Sequence, residues 1–156
     1  AHVSKSAAKF DPAELDTLNR SLVHRMPFAG VQQRLKESGI SGPLAEPFWL
    51  VVRANLGKVP EAADWWQVVT GGPSSDEKPD GNDIDFLNQA FALLPEGEIG
   101  ADTWKQWTGS VKAQTGRSGR NLFMPLRLAL TGRSHGPELA QLLPLIGREG
   151  ILARRP

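Results

Sequence analysis

Short apolar segments with helical spacing, separated by proline and glycine, recur along nearly all of the 156 residues. Within each segment apolar residues repeat at intervals of three or four, and no segment alternates apolar and polar residues over a useful strand length. Proline and glycine stand where helices begin and end. The pattern therefore predicts an all-α protein built from two small helical bundles.

Two segments illustrate the helix signals. Asp11 precedes Pro12, which places a capping residue before a proline at the first helical position, and Leu15, Leu18 and Leu22 then share one face. Residues 43–56 are densely apolar, and their length favours a buried helix, although their β-branched residues leave a strand open. Towards the end of the chain we expect short helices over 125–131, 137–146 and 149–154.

Residues 71–82 contain glycine, proline, serine and charged residues but no periodic apolar residue. This composition is typical of a linker or a domain boundary. We therefore expect the first bundle within residues 1–70 and the second within residues 83–156.

Charge is distributed unevenly along the chain. Residues 105–156 contain nine Lys/Arg and two Asp/Glu, whereas residues 1–104 contain nine Lys/Arg and fifteen Asp/Glu. A basic end of this kind is typical of a phosphate-binding surface. An unevenly charged, solvated surface explains the same pattern equally well.

The composition also argues against several classes of function. There is no cysteine, and the three histidines lie far apart in sequence, so we expect no structural metal site. No apolar run approaches the roughly 20 residues of a membrane-spanning helix, and we expect a cytoplasmic protein. No phosphate-cradling glycine loop and no Ser/His/Asp set stands out, so we predict no catalytic residue in this chain.

Some residues near the C-terminal end could contact a nucleic acid. Arg117 and Arg120 lie in a glycine-containing loop, where they could approach an anionic strand or only solubilise the surface. Arg127 lies between two leucines, so it must point outward or be paired. The turn at Gly136 and Pro137 could approach a base closely, although an ordinary helix start explains it more simply.

Tryptophans give a weaker signal. Trp104 and Trp107 have helical spacing and are predicted to lie in the core. Trp65 and Trp66 are adjacent, so one of them could face outward as a stacking platform for an unpaired base.

Residues 122–132 read Leu-Phe-Met-Pro-Leu-Arg-Leu-Ala-Leu-Thr-Gly. This run resembles a signature of the C-terminal part of bacterial glutamyl-tRNA synthetases, Leu-Phe-x-Pro-(Leu/Ile)-Arg-x-Ala-(Leu/Val)-Thr-Gly. Gly136-Pro137-x-Leu139 and residues 145–149 resemble the closing helices of the same family, and residues 4–11 resemble an earlier segment. The resemblance extends from end to end and is sharpest in the first twenty and the last forty residues.

The resemblance implies a fragment of an ATP-dependent glutamate–tRNA ligase without its catalytic domain. ATP and Mg²⁺ would serve the full-length enzyme, and the fragment itself would hold no cofactor. Its partners would be tRNA-Glu, with tRNA-Gln left open, and the catalytic domain of the same chain, in a monomer. Residues 1–70 would include the end of the stem-contact region, and residues 83–156 would bind the anticodon.

The resemblance also assigns roles to residues. Arg127 would read an anticodon base by hydrogen bonding, and Gly136, Pro137 and Leu139 would form the turn that contacts the first base. Arg53 is the candidate for the third base, through an alignment that needs a gap. Phosphates of the same loop would be contacted by Lys112, Arg117, Arg120 and Arg133.

A helical protein–protein interaction module with no RNA role is the alternative. It predicts that residues 48–52 or the tandem tryptophans present an exposed apolar face to a partner.

Overall fold

The computed structural model describes residues 12–156, so the predicted cap at Asp11 and the segment 4–11 lie outside the described residues. The described part is built from helices and contains no strand, which confirms the all-α prediction. The helices are α1 (Pro12–Arg25), α2 (Phe28–Glu37), α3 (Ala45–Val52), α4 (Ala62–Gly71), α5 (Ile84–Ala92), α6 (Thr103–Thr115), α7 (Arg120–Thr131) and α8 (Leu139–Leu152). Short 3₁₀ turns span Arg53–Asn55, Val59–Glu61 and Gly81–Asp83.

The chain divides into two compact units, one ending at Ala63 and the other beginning at Asp64. This division falls inside α4, whereas the sequence suggested a linker at 71–82. That segment lies along the end of α7, because the Ser74 N–H donates to the Thr131 carbonyl at 2.8 Å and the Glu77 N–H to the Gly132 carbonyl at 3.0 Å. The assignment of 1–70 and 83–156 as separate bundles stays a prediction.

In the first unit the segment 43–56 forms α3 and a 3₁₀ turn, so the strand alternative was wrong. Phe48, Trp49 and Val52 of α3 are buried. The indole N–H of Trp49 donates to the Met26 carbonyl at 2.8 Å and ties α3 to the turn before α2. The exposed apolar face that an interaction module would need at these three residues is therefore not found.

The leucines of α1 differ from an ordinary core face. Leu15, Leu18 and Leu22 remain 45%, 47% and 50% exposed, while Val23 is buried. Helical spacing identified their shared face correctly, but spacing alone does not say whether a second element covers it.

The core of the second unit forms around Trp107. Its ring meets the Phe91 ring edge to face with centroids 5.5 Å apart, and its N–H donates to the Ala90 carbonyl at 2.7 Å. Burial of an aromatic ring with its polar group satisfied contributes strongly to packing. The remaining buried apolar residues of α5 to α8 include Phe86, Leu87, Val111, Leu122, Leu126, Leu130, Leu142 and Leu143.

Helix α7 begins five residues earlier than the sequence suggested. Pro125 lies inside the helix and lacks the N–H that would bond to the Asn121 carbonyl. That carbonyl instead accepts from the Arg117 guanidinium at 3.2 Å. The Arg117 side chain therefore replaces the backbone donor that Pro125 lacks, and the helix continues through Pro125.

The break near the end of the chain lies where two short helices were expected. Gly147 has φ +79° and ψ 164° within α8, so the helical pieces on either side are separated by one left-handed residue. Asp102 occupies the position before α6 but makes no capping bond. The Thr103 hydroxyl accepts from the Gly100 N–H instead, at 2.8 Å.

Arg154 links the ends of two helices. Its side chain is 8% exposed and donates to the carbonyls of Leu130 at 2.7 Å, Val68 at 2.6 Å and Val69 at 3.3 Å. These carbonyls lie in the last turns of α7 and α4, where no intrahelical donor is available and the helix dipole is negative. Burial lowers the pKa of Arg154, but arginine keeps its proton at any ordinary pH.

We expect Arg154→Ala to destabilise the protein by about 1–3 kcal/mol, because buried carbonyls lose their donors. Chemical denaturation of both proteins measures the difference. Arg155→Ala is the matched control, since Arg155 is exposed and its guanidinium donates to the Asn88 side chain; its effect should stay within about 0.5 kcal/mol. Equal effects of the two substitutions would contradict the assigned role of Arg154.

We expect Gly132→Ala to destabilise the protein more than Gly116→Ala. Both glycines have left-handed φ values, +71° and +76°, so an alanine at either costs roughly 1–2 kcal/mol. A Cβ at Gly132 would also come within 1.9 Å of the Ser74 carbonyl oxygen, whereas Gly116 faces open space. The collision should add about 1–3 kcal/mol, measured as the difference between the two unfolding free energies, and equal values would contradict it.

Candidate functional site

A cavity of about 330 Å³ opens beside Arg127 in the second unit. Three elements supply its walls, namely the start of α6, the middle of α7 and the start of α8. Phe123 and Arg127 are four residues apart on α7 and therefore project from the same face. The lining residues of this Arg127 cavity are Trp104, Phe123, Arg127, Glu138, Leu139 and Ala140.

Arg127 is held by one backbone contact. One terminal nitrogen, Nη2, donates to the Pro137 carbonyl at 3.1 Å, while the other, Nη1, is buried without a hydrogen-bond partner. Burial lowers the pKa of Arg127, although the group stays charged. Arg127 forms no ion pair within the part of the chain that the structure describes, so the internal ion pair considered from the sequence is not found there.

Two aromatic rings form the apolar wall. Phe123 is 45% exposed, and its ring centroid lies 6.1 Å from that of Trp104. Trp104 is half-buried and packs edge to face on Trp107, so one of the two predicted core tryptophans borders the cavity instead. Phe123 was not predicted from the sequence, although its position four residues before Arg127 places both side chains on one face of a helix.

The predicted turn is divided between two environments. Leu139 lines the Arg127 cavity, and Pro137 contributes the carbonyl that holds Arg127. Gly136 packs instead against Trp65, since a Cβ there would lie 2.3 Å from a ring atom. One side of Gly136 is therefore covered by an indole ring, and Trp65 is buried rather than an outward platform.

Arg117 and Arg120 lie together at a second cavity of about 320 Å³, on an adjacent face of α7. Arg117 pairs with Asp83 at 2.7 Å, and its guanidinium lies 4.2 Å from the Phe86 ring centroid. Arg120 is exposed in the first turn of α7, which contains no acidic residue. Of these two arginines, Arg120 is the one without a recorded ion pair in the described chain.

The other two predicted phosphate contacts lie elsewhere. The Arg133 guanidinium lies 4.8 Å from the Trp65 ring centroid and 3.5 Å from the Asp76 carboxylate. Lys112 is exposed in the last turn of α6. Neither residue lines the Arg127 cavity.

Arg53 belongs to the first unit. It lies in a 3₁₀ turn, half-buried, and donates from Nη1 to the Met26 carbonyl at 3.0 Å. The same carbonyl accepts from Trp49, so Arg53 is oriented by a backbone group that is already part of the core.

The second unit contains both the basic end of the chain and many of the acidic residues that precede it. From Asp64 to the end the chain carries ten Lys/Arg and eleven Asp/Glu, so the second unit is close to neutral. The basic end at residues 105–156 therefore shares its unit with nine acidic residues from before position 105, and its role as a phosphate-binding surface stays a prediction.

No group of three or more His, Asp or Glu side chains could hold a metal ion within residues 12–156. The same stretch contains no helix that is both long and apolar enough to cross a bilayer.

Residues 61–154 match the family model described as "Anticodon binding domain". Proteins named glutamate–tRNA ligase 1 from Brucella canis and glutamate–tRNA ligase 2 from Mesorhizobium japonicum are 58% and 56% identical over the whole chain. The chain spans about one third, 34%, of the length of these curated relatives.

Solved structures share the fold at much lower identity. A glutamate-tRNA synthetase from Elizabethkingia anophelis matches with a TM-score of 0.72 at 18% identity, covering 93% of this chain and 31% of that one. A glutamate tRNA ligase from Elizabethkingia meningosepticum matches with a TM-score of 0.74 at 17% identity, with the same coverage. The family match takes in more than half of the residues, and the chain belongs to the anticodon-binding domain family.

Proposed function

We propose that the Arg127 cavity receives one unstacked base of a tRNA anticodon loop. The observation that carries this proposal is the Arg127 guanidinium, which is fixed by the Pro137 carbonyl at an aromatic-lined cavity and has no acidic partner in the described chain. Bases in single-stranded loops expose both their faces and their pairing edges. Aromatic rings bind the face, and an arginine fork binds acceptors on the edge.

Each predicted residue has a place in this proposal. Arg127 selects the base by hydrogen bonding, Leu139 by packing, and Pro137 positions Arg127. Gly136 contributes backbone to the same turn. Arg53, in the first unit, reads the third anticodon base, as the family resemblance suggests.

Phosphates of the loop are contacted by Lys112, Arg117, Arg120 and Arg133. Arg120 is the most favourable of these, because it is exposed at the N-terminus of α7, where the helix dipole also attracts an anion. Arg117 and Arg133 each face a carboxylate, so a phosphate there competes with Asp83 or Asp76. Such contacts place the loop without reading its sequence.

The parent protein, we further propose, is a glutamate–tRNA ligase that loads glutamate onto tRNA-Glu, with this chain as its C-terminal anticodon-binding part. ATP and Mg²⁺ would serve the full-length enzyme. We propose a cytoplasmic monomer. The relatives at 56% and 58% identity support the assignment to a glutamate–tRNA ligase. Use of tRNA-Gln depends on how strictly Arg53 reads the third base.

The alternative of a protein–protein module has less support. Phe48, Trp49, Val52 and Trp65 are buried, so most of the apolar residues it requires are used within the fold, and Leu50, at 47%, is the exposed one among residues 48–52.

We expect Arg127→Ala to weaken binding of a tRNA-Glu anticodon stem-loop by on the order of 1–3 kcal/mol, the range for a base-reading arginine. Arg127→Lys should recover little of this, because an ammonium group lacks the planar fork. Fluorescence anisotropy with a labelled stem-loop measures the dissociation constants.

Arg155→Ala is the control, since it removes one positive charge from an exposed position that does not line the Arg127 cavity. Its effect should be small and should shrink further as salt is raised. Equal losses for Arg127→Ala and Arg155→Ala would count against base reading.

We expect Phe123→Ala to weaken stem-loop binding by about 1–3 kcal/mol, the loss of one stacked base. The loss should be similar for different bases, because every base has a π-face. Leu152→Ala is the matched control, since Leu152 is 44% exposed and Phe123 45%. Unchanged affinity in Phe123→Ala would show that the exposed ring does not contact RNA.

A further inference from the structure

The Arg127 cavity contains a carboxylate that the family resemblance does not explain. The pattern Gly136-Pro137-x-Leu139 leaves residue 138 unspecified, and in this chain it is Glu138. Glu138 lines the same cavity as Arg127. It is one of two acidic residues after position 104.

Helix capping does not account for Glu138. The residue occupies the position before α8, where a carboxylate commonly accepts a backbone N–H, but its side chain makes no capping bond. No salt bridge to Glu138 is found among the described residues either, although Arg127 lines the same cavity. Glu138 is thus an exposed residue at the cavity, with no ion pair or capping bond of its carboxylate among the described residues.

Arg127 and Glu138 offer complementary chemistry. A guanidinium only donates hydrogen bonds, and an ionised carboxylate only accepts them. The pairing edge of a nucleobase carries both kinds of group, and a carboxylate accepts from an amino or imino N–H. A base with its face against Phe123 can therefore meet a donor and an acceptor within one cavity.

We propose that Glu138 is a specificity-determining residue, which accepts a hydrogen bond from an N–H on the pairing edge of the base that Arg127 binds. This inference rests on the proposed function, because it requires that the cavity receives an RNA base. The ligand class is an unpaired nucleobase whose edge places an N–H donor beside an acceptor.

The two possible roles of Glu138 predict changes of opposite sign in the RNA affinity of a variant that lacks its carboxylate. If Glu138 were only a solvated carboxylate near an RNA, its removal would reduce repulsion of phosphates and strengthen binding to every sequence. If Glu138 reads a base, its removal weakens binding to the preferred base and leaves the others unchanged or tighter. For a stem-loop with the preferred base, a solvated carboxylate therefore predicts tighter binding by the variant, whereas base reading predicts weaker binding.

The experiment compares the 156-residue chain with its Glu138→Ala and Glu138→Gln variants. Each is titrated with anticodon stem-loops in which every anticodon base is changed in turn to the other three. At one anticodon position, the ratio between the affinities for the preferred base and for the other bases should be about tenfold smaller in Glu138→Ala than in the unmodified chain. This change corresponds to the loss of one hydrogen bond to a charged group. Glu138→Gln keeps one acceptor oxygen and should lose less.

Glu149→Gln is the control, because it removes an exposed acid of α8 that does not line the cavity. It should leave all base preferences unchanged. Uniformly tighter binding by both Glu138 variants, with unaltered preferences, would overturn the role of Glu138 alone. A lack of RNA binding by the unmodified chain would overturn the proposed function as well, so the two failures are distinguishable.

Discussion

The hydrogen bond from Arg127 to the Pro137 carbonyl is the contact on which the candidate site depends. It joins the middle of α7 to the turn before α8, and it fixes a charged group at the wall of the Arg127 cavity. Without this acceptor, a guanidinium between apolar residues would have to leave the wall for water. The Thr131 hydroxyl strengthens the same region, since it donates to the Arg127 carbonyl at 2.8 Å and accepts from the Arg133 N–H at 3.1 Å.

Helix α7 serves the core and two cavities at once. Leu122, Leu126 and Leu130 are buried, which fixes the rotation of the helix about its axis. Phe123 and Arg127 then face one cavity, while Arg120 and Met124 face the other. The buried leucines therefore direct Phe123 and Arg127 towards their cavity, and the Pro137 carbonyl then fixes the Arg127 guanidinium. Pro125 lies within this helix and has no N–H to donate. The Arg117 guanidinium donates instead to the Asn121 carbonyl, with which a residue other than proline would pair.

The sequence was sufficient for the fold class and for part of the site. Helical spacing and helix-end residues identified most helices, and the family resemblance pointed to Arg127 and Leu139, which line one cavity in the structure. Boundaries were harder to predict, because Pro125 resembles a helix start, whereas in the structure it lies inside α7 and the nearby Arg117 side chain donates to the Asn121 carbonyl that Pro125 cannot pair. Phe123 was missed because an aromatic residue in an apolar run is expected to be buried. Arg154 was missed because nothing in its neighbourhood in sequence shows that it will satisfy carbonyls of α4 and α7.

Charge illustrates why sequence position and spatial position must be separated. The last third of the chain is strongly basic, yet several of its arginines are used within the fold. Arg148 donates to the carbonyls of Pro95 and Gly97, while Arg117 and Arg133 face carboxylates from earlier in the chain. The arginines of α7 that have no carboxylate partner among the described residues are Arg120, at the N-terminus of the helix, and Arg127, at its cavity. An RNA loop would therefore be attracted by a few well-placed guanidinium groups rather than by a general positive field. Phosphate contacts contribute equally to every sequence, so the proposed role of Glu138 would act on the difference in affinity between bases.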